Sequence, residues 1–211
     1  MINSSQIKNQ LSEHQKLKTF VHWCMMSSVR CAPRWWVKIL VNPFFSKRGR
    51  GSLVKWSAIL NVSPMNKFEL GSHSVIENFS LIDNGVGDVT IGAHSRVGLR
   101  NTVIGPVTIG CHVITAQNVV LSGLNHNYQD PLRMIREQGI TTSPITIEDD
   151  VWIGANSSVM SGVHIGRHCV VAGGSVVVSD VPEYSVCAGV PARVIKSYDF
   201  ELKEWVASPK K

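Results

Sequence analysis

Residues 145–180 read ITIEDDVWIGANSSVMSGVHIGRHCVVAGGSVVVSD, and an aliphatic side chain returns at every sixth position of this stretch. The recurring residues are Ile147, Ile153, Val159, Ile165, Val171 and Val177. The same period occurs upstream at Leu70, Ile76 and Ile82, and again at Ile91, Val97, Val103, Ile109, Thr115 and Leu121. Only one of these fifteen positions, Thr115, is not Leu, Ile or Val, so the pattern is a structural signal rather than an effect of composition.

A period of six residues fits neither the 3.6-residue repeat of an α-helix nor the alternation of a simple strand. It is typical of a short strand followed by a tight bend. Small residues such as Gly71, Gly92 and Gly154 often follow the aliphatic position, and glycine tolerates bend conformations that larger residues avoid. Three such hexads close one triangular coil, so residues eighteen apart, such as Ile91 and Ile109, are predicted to stack on neighbouring coils. The predicted fold class is all-β, a parallel β-helix.

The hexads divide the chain into three parts. Residues 61–196 are predicted to form the β-helix, with a loop insert at residues 122–146 where the period is interrupted. Residues 1–60 are expected to form a basic, aromatic-rich helical cap, because the open end of a solenoid needs covering. Residues 197–211 are expected to form a short C-terminal helix and tail, with the stretch DFELKEWVA, residues 199–207, as the helix.

Positive charge is concentrated at the start of the chain. The formal net charge is +6, yet residues 1–56 hold ten Lys or Arg, a single acidic residue and four of the six Trp. This combination favours contact with an anionic membrane surface, or else a helical cap with a solvated basic face. Nothing in the chain matches a motif that reads nucleic acid, so a nucleic-acid partner is not expected.

The cysteines and the apolar runs indicate the cellular compartment of the protein. The five cysteines are odd in number and show no CxxC spacing, which predicts free thiols in a reducing compartment. The first twenty residues contain no apolar stretch typical of a signal peptide, and no apolar run reaches the ~18–20 residues of a membrane span. We therefore expect a cytoplasmic protein, with peripheral contact at the inner face of the membrane.

Residues 68–196 resemble the left-handed β-helix acyltransferases built from hexapeptide repeats, and especially their galactoside, maltose, xenobiotic and glycan O-acetyltransferase branch. The segment AGVPARVIK, residues 188–196, is similar to the signature that ends the β-helix in that family. The left-handed winding of the β-helix is implied by the resemblance alone. The general rule for parallel strands would predict right-handed crossover connections. It also implies acetyl-CoA as co-substrate and a homotrimer with active sites between neighbouring subunits. No histidine pair has metal-ligand spacing, so no metal site is expected.

The insert contains a single histidine, His126. Imidazole titrates near neutral pH, which suits it to abstract a proton from a sugar hydroxyl. In the family that this chain resembles, a histidine at the head of this loop is the general base, and it precedes a Val-Trp-Ile-Gly segment that is here residues 151–154. The alternative is a loop histidine without a role. The histidines at predicted bends are expected to be exposed; they are His73, His94, His112 and His168.

Six residues are implied by the resemblance as contacts for acetyl-CoA. Trp152 would form a wall beside the thioester, with a packing residue as the alternative. Ala155 and Gly173 are small, so pantetheine could approach the backbone there. The phosphates would meet the following side chains: Arg193, Lys196 and Ser179. Ser179 marks a departure from the family, which commonly has a lysine at that place, and Arg193 has the alternative of a plain surface charge.

The acceptor pocket is the least specific part of the pattern. Polar side chains near the coil of His126 that could bind an acceptor are Asn125, Asn101 and Tyr128. Cys169 occupies a small inward position, where a thiol is unreactive, and Cys187 is placed in the C-terminal turn, so no acyl-enzyme is expected.

The sequence therefore predicts an O-acetyltransferase that moves an acetyl group directly from acetyl-CoA to a hydroxyl of a sugar, with a surface-polysaccharide precursor as one such acceptor. One alternative keeps the chemistry but changes the acceptor to a small soluble molecule, such as a free sugar, serine or an antibiotic. The other is a non-catalytic β-helix scaffold, which would have no use for the loop histidine.

Overall fold

The computed structural model describes residue 20, residues 23–27 and residues 32–208, and most of them form a three-sided parallel β-solenoid. Each coil contributes one short strand to each of three faces, and the next coil stacks upon it. The strands are numbered along the chain. The predictions that fall on residues 1–19, 21, 22, 28–31 and 209–211 lie outside the described residues.

Three sheets make up the faces of the solenoid, and they are parallel apart from the last two strands of the second face, which pair antiparallel. The first face contains β3 (Ser46–Arg48), β6 (Phe68–Leu70), β9 (Val89–Ile91), β12 (Val107–Ile109), β17 (Ile145–Ile147) and β20 (His164–Ile165). The second face contains β4 (Leu53–Val54), β7 (Val75–Ile76), β10 (Arg96–Val97), β13 (Ile114–Thr115), β18 (Trp152–Ile153), β21 (Val170–Val171), β23 (Ser185–Gly189), β24 (Ala192–Asp199) and β25 (Glu204–Ala207). The third face contains β5 (Ile59–Asn61), β8 (Leu81–Asp83), β11 (Thr102–Ile104), β14 (Val120–Ser122), β19 (Ser158–Val159) and β22 (Val176–Val177).

The remaining elements lie outside the three faces. Strands β1 (Met26–Ser27) and β2 (Ala32–Pro33) form an antiparallel pair near the start. A π-helical turn, Val37–Val41, leads into a short α-helix, α1 (Asn42–Phe45). The insert contains the antiparallel strands β15 (Leu124–His126) and β16 (Ile140–Thr142) with a 3₁₀ turn, Ile135–Glu137, between them. In the part of the chain that the structure describes, no helix has both the length and the apolar character needed to span a bilayer.

The sixfold pattern is confirmed in the interior of the coils. All fifteen predicted positions are buried, each at most 2% exposed. Ile91 pairs with Ile109, and Ile153 pairs with Val171, so residues eighteen apart do stack on neighbouring coils. Each coil therefore adds a layer of aliphatic side chains to one continuous core, and the removal of that surface from water stabilises the stack.

Buried serines join the bends of neighbouring coils. The hydroxyl of Ser74 donates to the carbonyl of Gly92 (2.6 Å) and accepts the backbone N–H of Ser95 (2.9 Å). Ser95 repeats this one coil on, donating to Gly110 and accepting from Val113. At the bends some backbone groups turn inward, away from the sheets, and a buried backbone group needs a partner. The serine hydroxyls supply it.

Asn101 is part of the same interior and not of a substrate pocket, which corrects the sequence prediction. Its side chain is only 1% exposed. The amide nitrogen donates to the hydroxyl of Thr115 (2.6 Å), and the amide oxygen accepts the N–H of Val119 (2.8 Å). Thr115, the exception in the aliphatic series, also accepts the N–H of Gly98 (3.1 Å) and donates to the carbonyl of Arg96. Asn101 and Thr115 therefore form one buried hydrogen-bond network.

We expect Asn101→Ala to lower the free energy of unfolding by about 2 kcal/mol, because it leaves the buried N–H of Val119 and the hydroxyl of Thr115 short of a partner. Chemical denaturation measures the change. The matched control is Gln117→Ala, which removes an exposed amide on the next coil and should change stability by less than about 0.5 kcal/mol. Equal effects of the two substitutions would show that the Asn101 network contributes nothing specific.

The first coil begins earlier than the predicted boundary at residue 61. Strands β3, β4 and β5 already pair with β6, β7 and β8, so coil structure starts at Ser46. Val54 and Leu60 follow the period of six and pack against the core, but the preceding position in the series is Arg48. A charged residue at that position hides the pattern in the sequence.

The predicted C-terminal helix over residues 199–207 is wrong. Strands β24 and β25 form an antiparallel hairpin, with Tyr198 opposite Trp205. A carboxylate oxygen of Asp199 accepts the N–H groups of Glu201 and Leu202, which closes a turn rather than starting a helix. The aromatic rings of the hairpin then pack edge to face with each other and with a ring from the last coil; the residues are Tyr184, Tyr198, Phe200 and Trp205.

Candidate active site

The insert leaves the solenoid at the corner where the third face meets the first, here called the third corner. Twenty-two residues, 123–144, separate β14 from β17, whereas Gly105 and Pro106 alone make this turn one coil earlier. The ends of the insert are joined, since the N–H of Ser143 donates to the carbonyl of Gly123 (2.9 Å). The insert is therefore a closed hairpin attached to a corner, and the coil continues beneath it.

His126 is the last residue of β15 and lies opposite Ile140 in the hairpin. Its side chain is exposed. The next residue, Asn127, is held on three sides. Its N–H donates to the carbonyl of Gly139 (3.1 Å), its amide nitrogen donates to the carbonyl of Gln138 (3.1 Å), and its amide oxygen accepts the hydroxyl of Thr141 (2.6 Å). The backbone that carries His126 is thus fixed while the imidazole remains free to meet a substrate.

Two of the three predicted acceptor residues lie beside His126. Asn125 precedes it on β15, and its amide nitrogen donates to the hydroxyl of Ser161 on the next coil of the same corner. Tyr128 follows two residues later and is 69% exposed. Sequence reasoning missed Ser161 and Asn127, because neither the partner across the coil nor the loop hydrogen bonds can be read from hexad positions.

The second face carries a row of outward side chains that continues from one strand to the next. Trp152 on β18 pairs with Val170, which pairs with Val186, which pairs with Lys196 on β24. Trp152 is 52% exposed and Lys196 is also exposed, while the two valines are half-buried. Three steps between strands put the backbones of Trp152 and Lys196 about 14 Å apart. The row is an apolar track with an aromatic ring at one end and a cation at the other, and exposed Arg193 lies on the same strand as Lys196.

Ala155 and Gly173 lie together at the corner between the second and third faces, here called the second corner. The N–H of Gly174 donates to the carbonyl of Ala155 (2.8 Å), and a β-carbon on Gly173 would lie 3.1 Å from that carbonyl oxygen. The two adjacent coils therefore both have a small residue at this corner. Ala155 follows Trp152 by three residues along the chain. The approach of pantetheine to the backbone at this corner stays a prediction.

Ser179 does not lie with the other predicted coenzyme A residues. Val159 pairs with Val177, so Ser179 is located one coil beyond Ser161 at the third corner. It is exposed on the edge of the prism that carries His126. In a three-sided prism the third corner is opposite the second face. A single protomer thus places His126 on one side of the molecule and Trp152 on the other.

The bend histidines are exposed, as predicted, and belong to the corner between the first and second faces. The rings of His73, His94 and His112 stack with centroids 5.2 and 5.1 Å apart. Further along this corner Nδ1 of His168 lies 2.6 Å from a carboxylate oxygen of Asp150. Within the described residues, no group of three or more His, Cys, Asp or Glu side chains is arranged to hold a metal ion.

The two buried cysteines have the properties of unreactive thiols. Cys169 and Cys187 are each 1% exposed. Burial raises the pKa of the Cys169 thiol, and burial raises the pKa of Cys187 to about 11, so neither forms a thiolate readily near neutral pH. Cys187 lies inside strand β23 and not in a turn, which corrects the sequence prediction. The described cysteines are free, and Cys31 is outside the described residues.

A three-sided parallel solenoid of hexapeptide coils with a histidine-bearing loop at one corner defines a hexapeptide-repeat protein. The family model described as "Hexapeptide repeat of succinyl-transferase" matches residues 144–179. The chain is 33% identical to the probable acetyltransferase Rv3034c of Mycobacterium tuberculosis over 80% of this chain and 56% of that protein. It is 39% identical to the galactoside O-acetyltransferase of Escherichia coli over 56% of this chain and 58% of that protein. The chain belongs to the hexapeptide-repeat acyltransferase family.

A solved structure shares the fold. AntD, an N-acyltransferase from Bacillus cereus in complex with dTDP and 3-hydroxybutyryl-CoA, matches with a TM-score of 0.64 and 19% identity, covering 78% of this chain and 90% of that one. The chain spans little more than half the length of the two curated relatives.

Proposed function

We propose that this protein transfers an acetyl group from acetyl-CoA to a hydroxyl of a sugar, with His126 as general base. The observation that carries the proposal is the position of His126: exposed, at the end of a strand, on a backbone fixed by Asn127 and the hairpin. An accessible imidazole carried on a fixed backbone suits proton abstraction. A scaffold protein would have no need for it.

The reaction follows from the direct transfer that such an arrangement allows. The imidazole of His126 takes the proton of the acceptor hydroxyl while the hydroxyl oxygen attacks the carbonyl carbon of the thioester. The carbon–sulfur bond then breaks, and the departing sulfur takes the proton from the imidazolium, which leaves an acetyl ester and free coenzyme A. No protein thiol takes part, in accord with the raised pKa values of Cys169 and Cys187.

The row on the second face is our proposed track for acetyl-CoA. Trp152 would bound the thioester end, Val170 and Val186 would lie under the pantetheine, and Lys196 with Arg193 would meet the phosphates. An extended molecule with apolar, amide and anionic parts matches that order of side chains. AntD, which shares the fold, is described with 3-hydroxybutyryl-CoA bound.

The proposed active site needs two copies of the chain. Because His126 and Trp152 lie on opposite sides of one prism, the base of one protomer can meet the acetyl-CoA of another only across an interface. We propose a homotrimer, in which three equivalent sites close. Exposed apolar side chains on the insert, Leu132 (94%), Met134 (66%) and Ile135 (56%), support such contact, because they would otherwise face water.

The acceptor class rests on the relative that acetylates a galactoside. Among acceptors of this class we favour a surface-polysaccharide precursor, and a small soluble acceptor remains the rival.

The experiment that tests the function is a screen of coenzyme A release from acetyl-CoA against galactosides, glycan precursors, amino sugars, serine and aminoglycosides. We expect turnover with a sugar hydroxyl and an ester product by mass spectrometry. Turnover only with an amine, giving an amide, would contradict O-acetylation. Failure of every acceptor, together with no binding of acetyl-CoA by calorimetry, would support the scaffold instead.

A further inference from the structure

The helical residues 35–45 expose their large apolar side chains to solvent, whereas a helix that caps a solenoid would bury them. Val37 and Asn42 are buried, at 0% and 8% exposed. The opposite side consists of Trp35, Ile39, Leu40 and Phe44, which are 73%, 62%, 61% and 85% exposed. A surface helix of a globular protein normally turns its apolar side to the core. Here four large apolar side chains, the apolar outer face, point away from it.

A groove continues this face toward the first coil. It has a volume of about 850 Å³ and lies between the start of α1 and strands β4 and β5. Pro43, Val54, Ile59 and other apolar residues line it, and Trp56 at its edge is 97% exposed. The charged residues among its described lining are Arg48 and Lys55, and none of the lining residues is acidic. An apolar floor with two cations suits an amphiphile that has an anionic head.

The formal charge of the segment that carries the face has one sign, although Lys47 at its end is paired with Glu69 of the next coil (3.1 Å). Residues 32–56 hold six Lys or Arg and no Asp or Glu. A second copy docking through the same face would bring these cations against each other, which disfavours self-association there. An anionic phospholipid surface would instead be attracted by the cations, and its hydrocarbon boundary would receive the apolar side chains. Tryptophan is also favoured at that boundary.

We propose that the apolar outer face and the adjoining groove dock the protein on an anionic phospholipid bilayer, with the helical residues 35–45 lying in the plane of the interface. The docking is reversible and salt-sensitive, because it combines shallow apolar burial with attraction of screened charges. It is independent of the proposed acetyl transfer, since neither His126 nor Trp152 takes part.

Sedimentation with vesicles tests the proposal on the full chain. Vesicles of phosphatidylcholine are compared with vesicles containing an equal part of phosphatidylglycerol. We expect the protein to pellet with the anionic vesicles at low salt, to be released at ~0.5 M salt, and to stay in solution with phosphatidylcholine alone. Ile39→Ser/Leu40→Ser should weaken binding at least about ten-fold, because it removes two apolar anchors. Arg48→Glu/Lys55→Glu should abolish the preference for phosphatidylglycerol.

The matched control is Leu202→Ser/Val206→Ser, which removes two exposed apolar side chains (63% and 40%) from the C-terminal hairpin. It should bind vesicles like the unchanged protein, and all variants should keep the same thermal unfolding temperature. An unchanged protein that remains in the supernatant with every vesicle overturns the proposal. So does an Ile39→Ser/Leu40→Ser variant that binds normally, or one whose only change is a lower oligomeric mass, since a second copy would then cover the face.

Discussion

Replacing His126 by asparagine is expected to lower kcat by roughly 10²–10⁴-fold, the usual cost of losing a general base. The KM for acetyl-CoA should hardly change, because the proposed coenzyme A track is made by the second face. Steady-state release of coenzyme A measures both. The fold should be unaffected, since His126 is exposed on a hairpin that hangs from a corner.

A matched control separates catalysis from general damage. His112→Asn makes the same chemical change at an exposed bend on another corner, where the backbone has φ 58°, a conformation that asparagine tolerates. It should leave kcat within about two-fold, as surface substitutions away from a site usually do. Normal turnover of His126→Asn with a good acceptor would remove His126 from the mechanism, and equal losses in both variants would point to the fold instead.

Mixing two inactive variants is expected to restore activity. His126→Asn lacks the base, and Gly173→Trp fills the small second corner where pantetheine would approach. If each site takes its base from one protomer and its coenzyme A surface from the next, every mixed trimer contains one intact site among its three. Co-expression with two affinity tags isolates the mixed species, and light scattering should give about three times 23.2 kDa.

The unmixed variants, treated in the same way, are the controls. Each should retain only its own residual activity, and simple addition of the two after assembly should gain nothing. Recovery of about a third of the activity in the isolated mixed trimers, each with one intact site of three, would locate the site between protomers. If co-assembled species show no more than the sum of the parents, His126 and the Gly173 corner do not serve one shared site. A monomer in solution would contradict the homotrimer directly.

The coils could be predicted because their signal is local and repeated. Burial recurs at a fixed spacing, so each aliphatic position supports the next, and Ile91 over Ile109 follows without any knowledge of the rest. The first coil was not predicted for the same reason. Its series has only three positions, and the charged residue Arg48 at one of them leaves two aliphatic residues, too few to show a period. A periodic argument is strong in the middle of a solenoid and weak at its ends.

The polar interior could not be predicted. Asn101 looked like a candidate for substrate because asparagine is usually exposed. Its burial depends on a hydroxyl fourteen residues away, that of Thr115, and on an inward N–H of Val119. The C-terminal hairpin failed for a related reason. Local spacing in residues 199–207 suits a helix, but Phe200, which packs on Tyr198, meets the ring of Tyr184 only after the last coil has formed.

The sequence suggests individual candidate residues for the site, but it does not give their arrangement in space. His126 follows from the break in the period, and the small residues Ala155 and Gly173 follow from their bends. Their separation depends on which corner each bend occupies, and that requires the coils to be counted in three dimensions. Ser179 shows the difficulty, since it follows the same repeat yet lies on the edge that carries His126 rather than beside Trp152.

The hairpin at the third corner has a consequence for how such proteins diversify. Its two ends meet at the hydrogen bond from Ser143 to Gly123, and the strands on either side, β14 and β17, keep their partners in adjacent coils. The segment is therefore a cassette, inserted where the scaffold would need only a two-residue turn. Exchange of this cassette between relatives would carry the proposed base and its neighbouring proposed acceptor contacts together, while the proposed donor surface on the coils stayed the same. A relative could thus acquire a new acceptor in one recombination event without any repacking of the core.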